Sequence, residues 1–129
     1  MALQYTVKTI KAREKFAKAH AGTDAVTAIT HVGFGTGGHD PITAIPTIPT
    51  GSETIVTGEV VKKAVNSVVF TSPATMTATG ILDFSESNGV NISAYGFYDA
   101  DGDLVCITHT EPTPKTADER ITQVWEEVF

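Results

Sequence analysis

Asp99-Ala100-Asp101-Gly102-Asp103 offers three carboxylates at alternating positions, the pattern with which a calcium loop begins. An EF-hand loop also needs glycine at its sixth position and a bidentate Glu at its twelfth. Those positions hold Leu104 and Thr110 here, and the glycine comes fourth. Asp and Gly are also what a tight turn requires, because they tolerate left-handed backbone and bond their own neighbours. Residues 98–104, YDADGDL, are therefore read as a β-hairpin turn. Cation binding at Asp99–Asp103 stays open at this point.

Gly33-Phe34-Gly35-Thr36-Gly37-Gly38 fits G-x-G-x-x-G. A dinucleotide site needs that turn to open a helix whose N-terminus holds the pyrophosphate. His39-Asp40-Pro41 and a Pro-rich stretch follow instead, so the glycines read as a loop exploiting their freedom at positive φ. Of the four histidines, His20, His31, His39 and His109, the pair His31 and His39 with Asp40 could serve a metal site or a small hydrolase. No H-x-H or H-E-x-x-H spacing fixes them. The serines at 52, 67, 72, 85, 87 and 93 lie in no G-x-S-x-G elbow. Asp83 and Glu86 read as solvated carboxylates near a strand end. Asn91-Ile92-Ser93 is a glycosylation sequon, with meaning only in a secreted chain. Cys106 is the one cysteine, so no internal disulfide forms. It lies in the apolar run LVCI and reads as a buried small hydrophobe rather than a reactive thiol. These residues supply no catalytic, cofactor-binding or metal site, and the expectation is a protein that is not an enzyme.

The elements that carry these groups follow from spacing. Residues 9–20, TIKAREKFAKAH, are rich in helix formers, with Thr9 or Thr6 as N-cap and Gly22 past the end. Ala12, Phe16 and Ala19 give a modest apolar stripe, which Val7 and Ile10 extend. Residues 25–34 read as a strand. Residues 35–52 hold Pro41, Pro46, Pro49 and several glycines, and read as a loop long enough to be functional or to cover another surface. Residues 60–71 read as a strand, with a helical turn weighed at 59–63. Residues 76–85 alternate, with Met76, Ala78, Gly80, Leu82 and Phe84 on one face. Asn88-Gly89 signals a tight turn. Strands follow at 90–98 and 104–110, then a second loop at 111–118. Residues 121–129 close as a strand or short helix, which Val124, Trp125, Val128 and Phe129 do not decide. The expected fold class is α+β. A helical arm over residues 1–22 precedes a mainly antiparallel β-sheet or sandwich over residues 23–129, in a single domain of residues 1–129.

Composition is that of a globular chain, with 41% hydrophobic and 19% charged residues. No apolar run approaches the roughly 20 residues that span a bilayer, and the N-terminus lacks a signal-peptide core, so no membrane insertion is expected. A net charge of −6 argues against nucleic-acid binding. Lys8, Lys11, Arg13, Lys15 and Lys18 gather near the start, and Glu111, Asp118, Glu119, Glu126 and Glu127 near the end. These ends read as solvated faces or as contact surfaces.

Three stretches in order are similar to the phage tail-collar fibre protein family. They are the amphipathic opening that ends in Ala21-Gly22 followed by residues 29–38 (ITHVGFGTGG), residues 58–65 (GEVVKKAV) with the two alternating strands after it, and residues 88–107 (NGVNISAYGFYDADGDLVCI) leading to the loop with Lys115 and a last strand. The hairpin, GFYDADGDLVCI here, is the most specific of them. The resemblance implies a structural protein of the virion tail, made in the host cytoplasm, with other tail or baseplate proteins as partners. It implies attachment of a fibre to the tail or baseplate, no catalytic residues, no cofactor, and a homo-oligomer with a trimer as first expectation. Many members continue into a fibre shaft, whereas this sequence ends at Phe129, so an adaptor, collar or baseplate-linking subunit is expected. Residues 35–52 are then expected to be mobile in the free chain and ordered in the particle. The alternative is a small carbohydrate- or calcium-binding β-module, with Trp125 or Tyr95 stacking on a sugar.

Overall fold

The computed structural model of the chain describes residues 3–128, so Phe129 of the closing segment lies outside the described residues. Among the described residues eight strands form two antiparallel sheets: β1 (Gln4–Lys8), β2 (Ile29–Gly35), β3 (Glu59–Ala64), β4 (Ser67–Ser72), β5 (Thr75–Leu82), β6 (Asn91–Asp99), β7 (Leu104–Pro114) and β8 (Ile121–Val128). The larger sheet runs β1-β7-β6-β2-β3 and the smaller β4-β5-β8. One helix, α1 (Ile10–His20), follows β1.

The α+β expectation is corrected: the fold is β-rich, with a single short helix among the described residues. The helix forms where its residue types direct, and Thr9 caps it by accepting the Ala12 N–H. Its apolar stripe is too thin to make a layer, since Ala12 is its only fully buried residue. The supposed helical arm also begins as a strand. Val7 faces Ile107 across the β1–β7 ladder rather than extending the helix stripe. Thr9 then fastens the helix start to the sheet, its hydroxyl donating to the Leu104 carbonyl at 2.5 Å.

Other boundaries moved for equally local reasons. The single strand expected over 60–71 divides at Val65-Asn66 into β3 and β4, which belong to different sheets. Asn66 marks the crossing: its side-chain oxygen accepts the Ile81 N–H at 2.9 Å. Residues 59–63 are strand, not helical turn. β7 continues through Glu111–Pro114, where a loop was expected, because Thr113 and Pro114 still oppose Ile92 and Asn91. The strand expected from 25 begins only at Ile29.

The two sheets pack face to face. Phe97 of β6 stacks on Trp125 of β8 with ring centroids 5.8 Å apart. Val32, Phe34, Ala78, Leu82 and Ile92 complete this core. Gly80 lets β5 approach β2, since a Cβ there would lie 2.7 Å from Val32. The opposite face of the larger sheet is also covered, so β6 is buried at every position after Asn91. Its cover is the segment between β2 and β3, whose Val56 joins Ala94, Tyr98, Leu104 and Ile107 in a second apolar cluster. The long Gly/Pro-rich loop therefore acts as a third layer over β6 and β7.

Candidate assembly surface

The acidic hairpin turn is closed by a cation of the chain itself. Asp99 ends β6, and the turn returns through Gly102 at φ +84 to β7. The Asp103 carbonyl accepts the Asp99 N–H at 3.0 Å. One Asp99 oxygen accepts the N–H groups of Asp101 and Asp103, at 3.0 and 3.1 Å. Lys15 of α1 reaches over this turn. Its ammonium lies 2.6 Å from Asp99, 3.0 Å from Asp101 and 2.7 Å from Asp103. Burial pulls the Lys15 pKa down, yet its hydrogen bonds to Asp103, Asp99 and Asp101 outweigh that and hold it above the ordinary range. The Lys15 bond holds the Asp103 carboxyl below its ordinary range. The three carboxylates lie within 4.8 Å of one another, as cation ligands would. The ammonium occupies that position and ties helix to hairpin.

The glycine motif also has a structural cause. Gly33 and Gly35 lie inside β2, and no helix follows them. A Cβ on Gly35 would come 2.3 Å from the Thr57 carbonyl, and one on Gly38 would come 2.4 Å from the His109 ring. The glycines allow residues 56–59 to pass close to β2, rather than to receive phosphate. Of this run only Gly38, at φ +81, uses the left-handed freedom expected of the motif.

The histidines serve the same loop. His109 is buried on β7; its Nδ1 lies 2.9 Å from the Thr47 carbonyl and its Nε2 2.9 Å from the Thr57 hydroxyl. His39 Nδ1 donates to Ser93, whose hydroxyl donates to the Gly37 carbonyl at 2.7 Å. His31 is exposed and bonds Thr30, and Asp40 accepts the N–H groups of Ile42 and Thr43. Among the described residues His31, His39 and Asp40 form no metal-ligating group. Tyr95 and Trp125 are buried at 3% and 7% exposure, which leaves neither ring face for a sugar. Cys106 is buried and its thiol pKa is pushed up by burial, as a core thiol requires. Lys115, within the second expected loop, is buried with its ammonium on Asn88 and the Thr116 carbonyl. Asp83 and Glu86 keep 50% and 30% side-chain exposure, and the bond from Lys63 to Glu86 at 2.5 Å lowers the Glu86 pKa.

Two stretches of the surface expose large apolar side chains. Residues 35–52 carry hydrogen bonds of their own, among them Thr47 N–H to the Gly38 carbonyl and Ala44 N–H to the Asp40 carbonyl, at 2.9 and 2.8 Å. On this hydrogen-bonded loop Ile42 is 92% and Ile48 66% exposed. Sequence reasoning found the loop but not its contacts, which run to β7 through His109. It missed β4 altogether as a surface. All six residues of that strand are exposed, and Phe70 is 80% exposed. Between β4 and α1 lies an open apolar groove of about 360 Å³ with Trp125 and Val105 in its lining. Of the basic cluster, Lys8 pairs with Glu127 and Lys15 with the turn, while Lys11, Arg13 and Lys18 are exposed on α1. Among the described residues no helix is long and apolar enough to cross a membrane.

The sequence model of the phage tail-collar fibre protein N-terminal region matches residues 1–125. No curated protein and no solved structure matches the chain.

Proposed function

The chain belongs to the phage tail-collar fibre protein family and is a structural component of a phage tail, and from that premise we propose that it links a tail fibre to the tail or baseplate through protein–protein contacts. The observation that carries this reading is the bonded loop that holds Ile42 and Ile48 in solvent. A backbone fixed by its own hydrogen bonds gives up little entropy on docking. Covering one such isoleucine stabilises a contact by about 1.5–3 kcal/mol. Apolar side chains on a rigid frame therefore suit a permanent neighbour better than a small diffusing ligand.

Complementation tests the reading. Particles made with an Ile42→Lys, Ile48→Lys double variant should carry fewer fibres while the isolated variant keeps its thermal midpoint. Fibre occupancy equal to wild type would remove the loop from the attachment surface.

A further inference from the structure

We propose that Lys115 locks the Asn88-Gly89 turn against deamidation, so that Asn88 becomes a modification site only when the segment before β6 opens. The inference is independent of the attachment reading, because it concerns bonds within one chain.

Lys115 is a buried cation with no acid beside it. It is 1% exposed, and among the described residues no carboxylate pairs with its ammonium. Its acceptors are neutral: the Thr116 carbonyl at 2.8 Å and the Asn88 side-chain oxygen at 2.9 Å. Burying an ammonium is costly, and its hydrogen bonds must offset that cost. One of those bonds reaches 27 positions back along the chain, to the turn before β6.

That turn carries a pair of residues prone to a spontaneous reaction. The Val90 N–H donates to the Ser87 carbonyl at 3.3 Å, with Asn88 and Gly89 between them and Gly89 at φ +83. Both central residues are exposed. In a flexible Asn-Gly pair the glycine nitrogen attacks the asparagine Cγ, because glycine has no side chain to obstruct the approach. The N–Cγ bond forms, the Cγ–Nδ2 bond breaks, and ammonia leaves with the proton of the glycine nitrogen. Water then opens the ring at either carbonyl, giving aspartate or isoaspartate. Asn66 and Asn91 precede Ser67 and Ile92, whose side chains hinder the same attack.

Lys115 holds both reacting groups. The Gly89 N–H donates to the Lys115 main-chain carbonyl at 2.9 Å, so the nucleophile keeps its proton and is directed at Lys115. The ammonium holds the Asn88 side-chain oxygen, and the Phe84 carbonyl accepts from the Asn88 amide nitrogen at 3.0 Å. The amide is thereby held at both ends and cannot turn its Cγ toward Gly89. The Lys115 N–H also donates to the Val90 carbonyl at 2.9 Å and fastens the far side of the turn. An ammonium draws electron density from the amide carbonyl, which by itself favours attack. Attack still needs a free glycine nitrogen, so the restraint prevails. The reaction therefore runs through local opening, and its rate reports how often residues 84–90 leave Lys115.

Peptide mapping of the purified full-length chain, incubated at neutral pH, tests this. The peptide carrying Asn88 should gain one mass unit at least ~10-fold more slowly in the native chain than in the guanidinium-unfolded chain. Lys115→Met, shown to be folded by circular dichroism, should recover most of the unfolded rate. Should that variant fail to fold, hydrogen exchange at the wild-type Gly89 amide carries the test, and protection of at least ~10-fold is expected. Equal rates in native and unfolded chains, a folded Lys115→Met variant that ages as slowly as wild type, or an unprotected Gly89 amide would each overturn the proposal. None of these measurements reads fibre attachment, so this inference and the attachment reading fail separately.

Discussion

Lys15 and Asp99 are 84 positions apart in the chain, and the ammonium of one lies 2.6 Å from the carboxylate of the other. The Asp99 side chain is 3% exposed, and that ammonium and two backbone N–H groups bond it. Removing one partner of a largely buried pair leaves the other uncompensated. Lys15→Met should lower unfolding free energy by about 2–3 kcal/mol, read from urea titration. Asp101, whose side chain is 56% exposed, should tolerate Asn at a cost of no more than about 0.5 kcal/mol. Equal losses in the two variants would mean that the clamp is a surface contact.

The same cluster sets a pH dependence. Asp103 has a lowered pKa in the folded chain, so its contribution is present above the unfolded value near ~3.9 and is lost as pH falls through the lower folded value. Lys15 has a raised pKa, so its contribution is full below about 10.4 and is lost only as pH rises beyond that. Asp103→Asn should therefore show a shallower fall of stability below about pH 4 than wild type, with the two curves parallel from pH 5 to 9. Parallel curves throughout would remove Asp103 from the linkage.

Because the ammonium sits among the three carboxylates, calcium has no vacancy to fill in the turn. Calcium at about 1 mM, enough for weak extracellular-type sites, should leave the wild-type thermal midpoint unchanged. A clear rise would show that the ion displaces Lys15.

Close approach, rather than turn geometry, makes Gly35 necessary. Gly35→Ala should destabilise by more than about 2 kcal/mol, since its Cβ would meet the Thr57 carbonyl, a backbone atom that cannot swing aside. Gly22 has no atom within 4 Å of an added Cβ, and only its φ of +76 resists substitution. Gly22→Ala should cost about 1 kcal/mol. Urea midpoints for the two variants in the reverse order would refute the packing argument.

Burial defines Cys106. A thiol reagent added to the native chain should react with it at least 100-fold more slowly than with the urea-unfolded chain, on the order expected for a core thiol. Comparable rates would mean that β7 opens readily.

Local chemistry was legible in the sequence and distant pairing was not. The Thr9 cap, the αL glycine at 22, the Asp99–Asp103 turn and the alternation of Ala78, Gly80 and Leu82 each depend on neighbours within a few residues, and each appears where expected. β1 was absorbed into the helix because Val7 and Ile10 fit both periodicities, and only its pairing with β7, about 100 residues away, decides. The acidic turn was recognised, but its occupant lies on another element at a separation no spacing rule encodes. The edge strand β4 was read only as part of a strand over 60–71, because SVVFTS has the composition of any strand and only the sheet order reveals that it lies at an edge.

The account turns on where this domain sits in the particle, and a density map of the assembled tail tests that most directly. The chain should lie at the junction of fibre and tail, with Ile42 and Ile48 covered by a neighbouring protein. Density that places it away from any fibre, or that leaves both isoleucines facing solvent, would contradict the account.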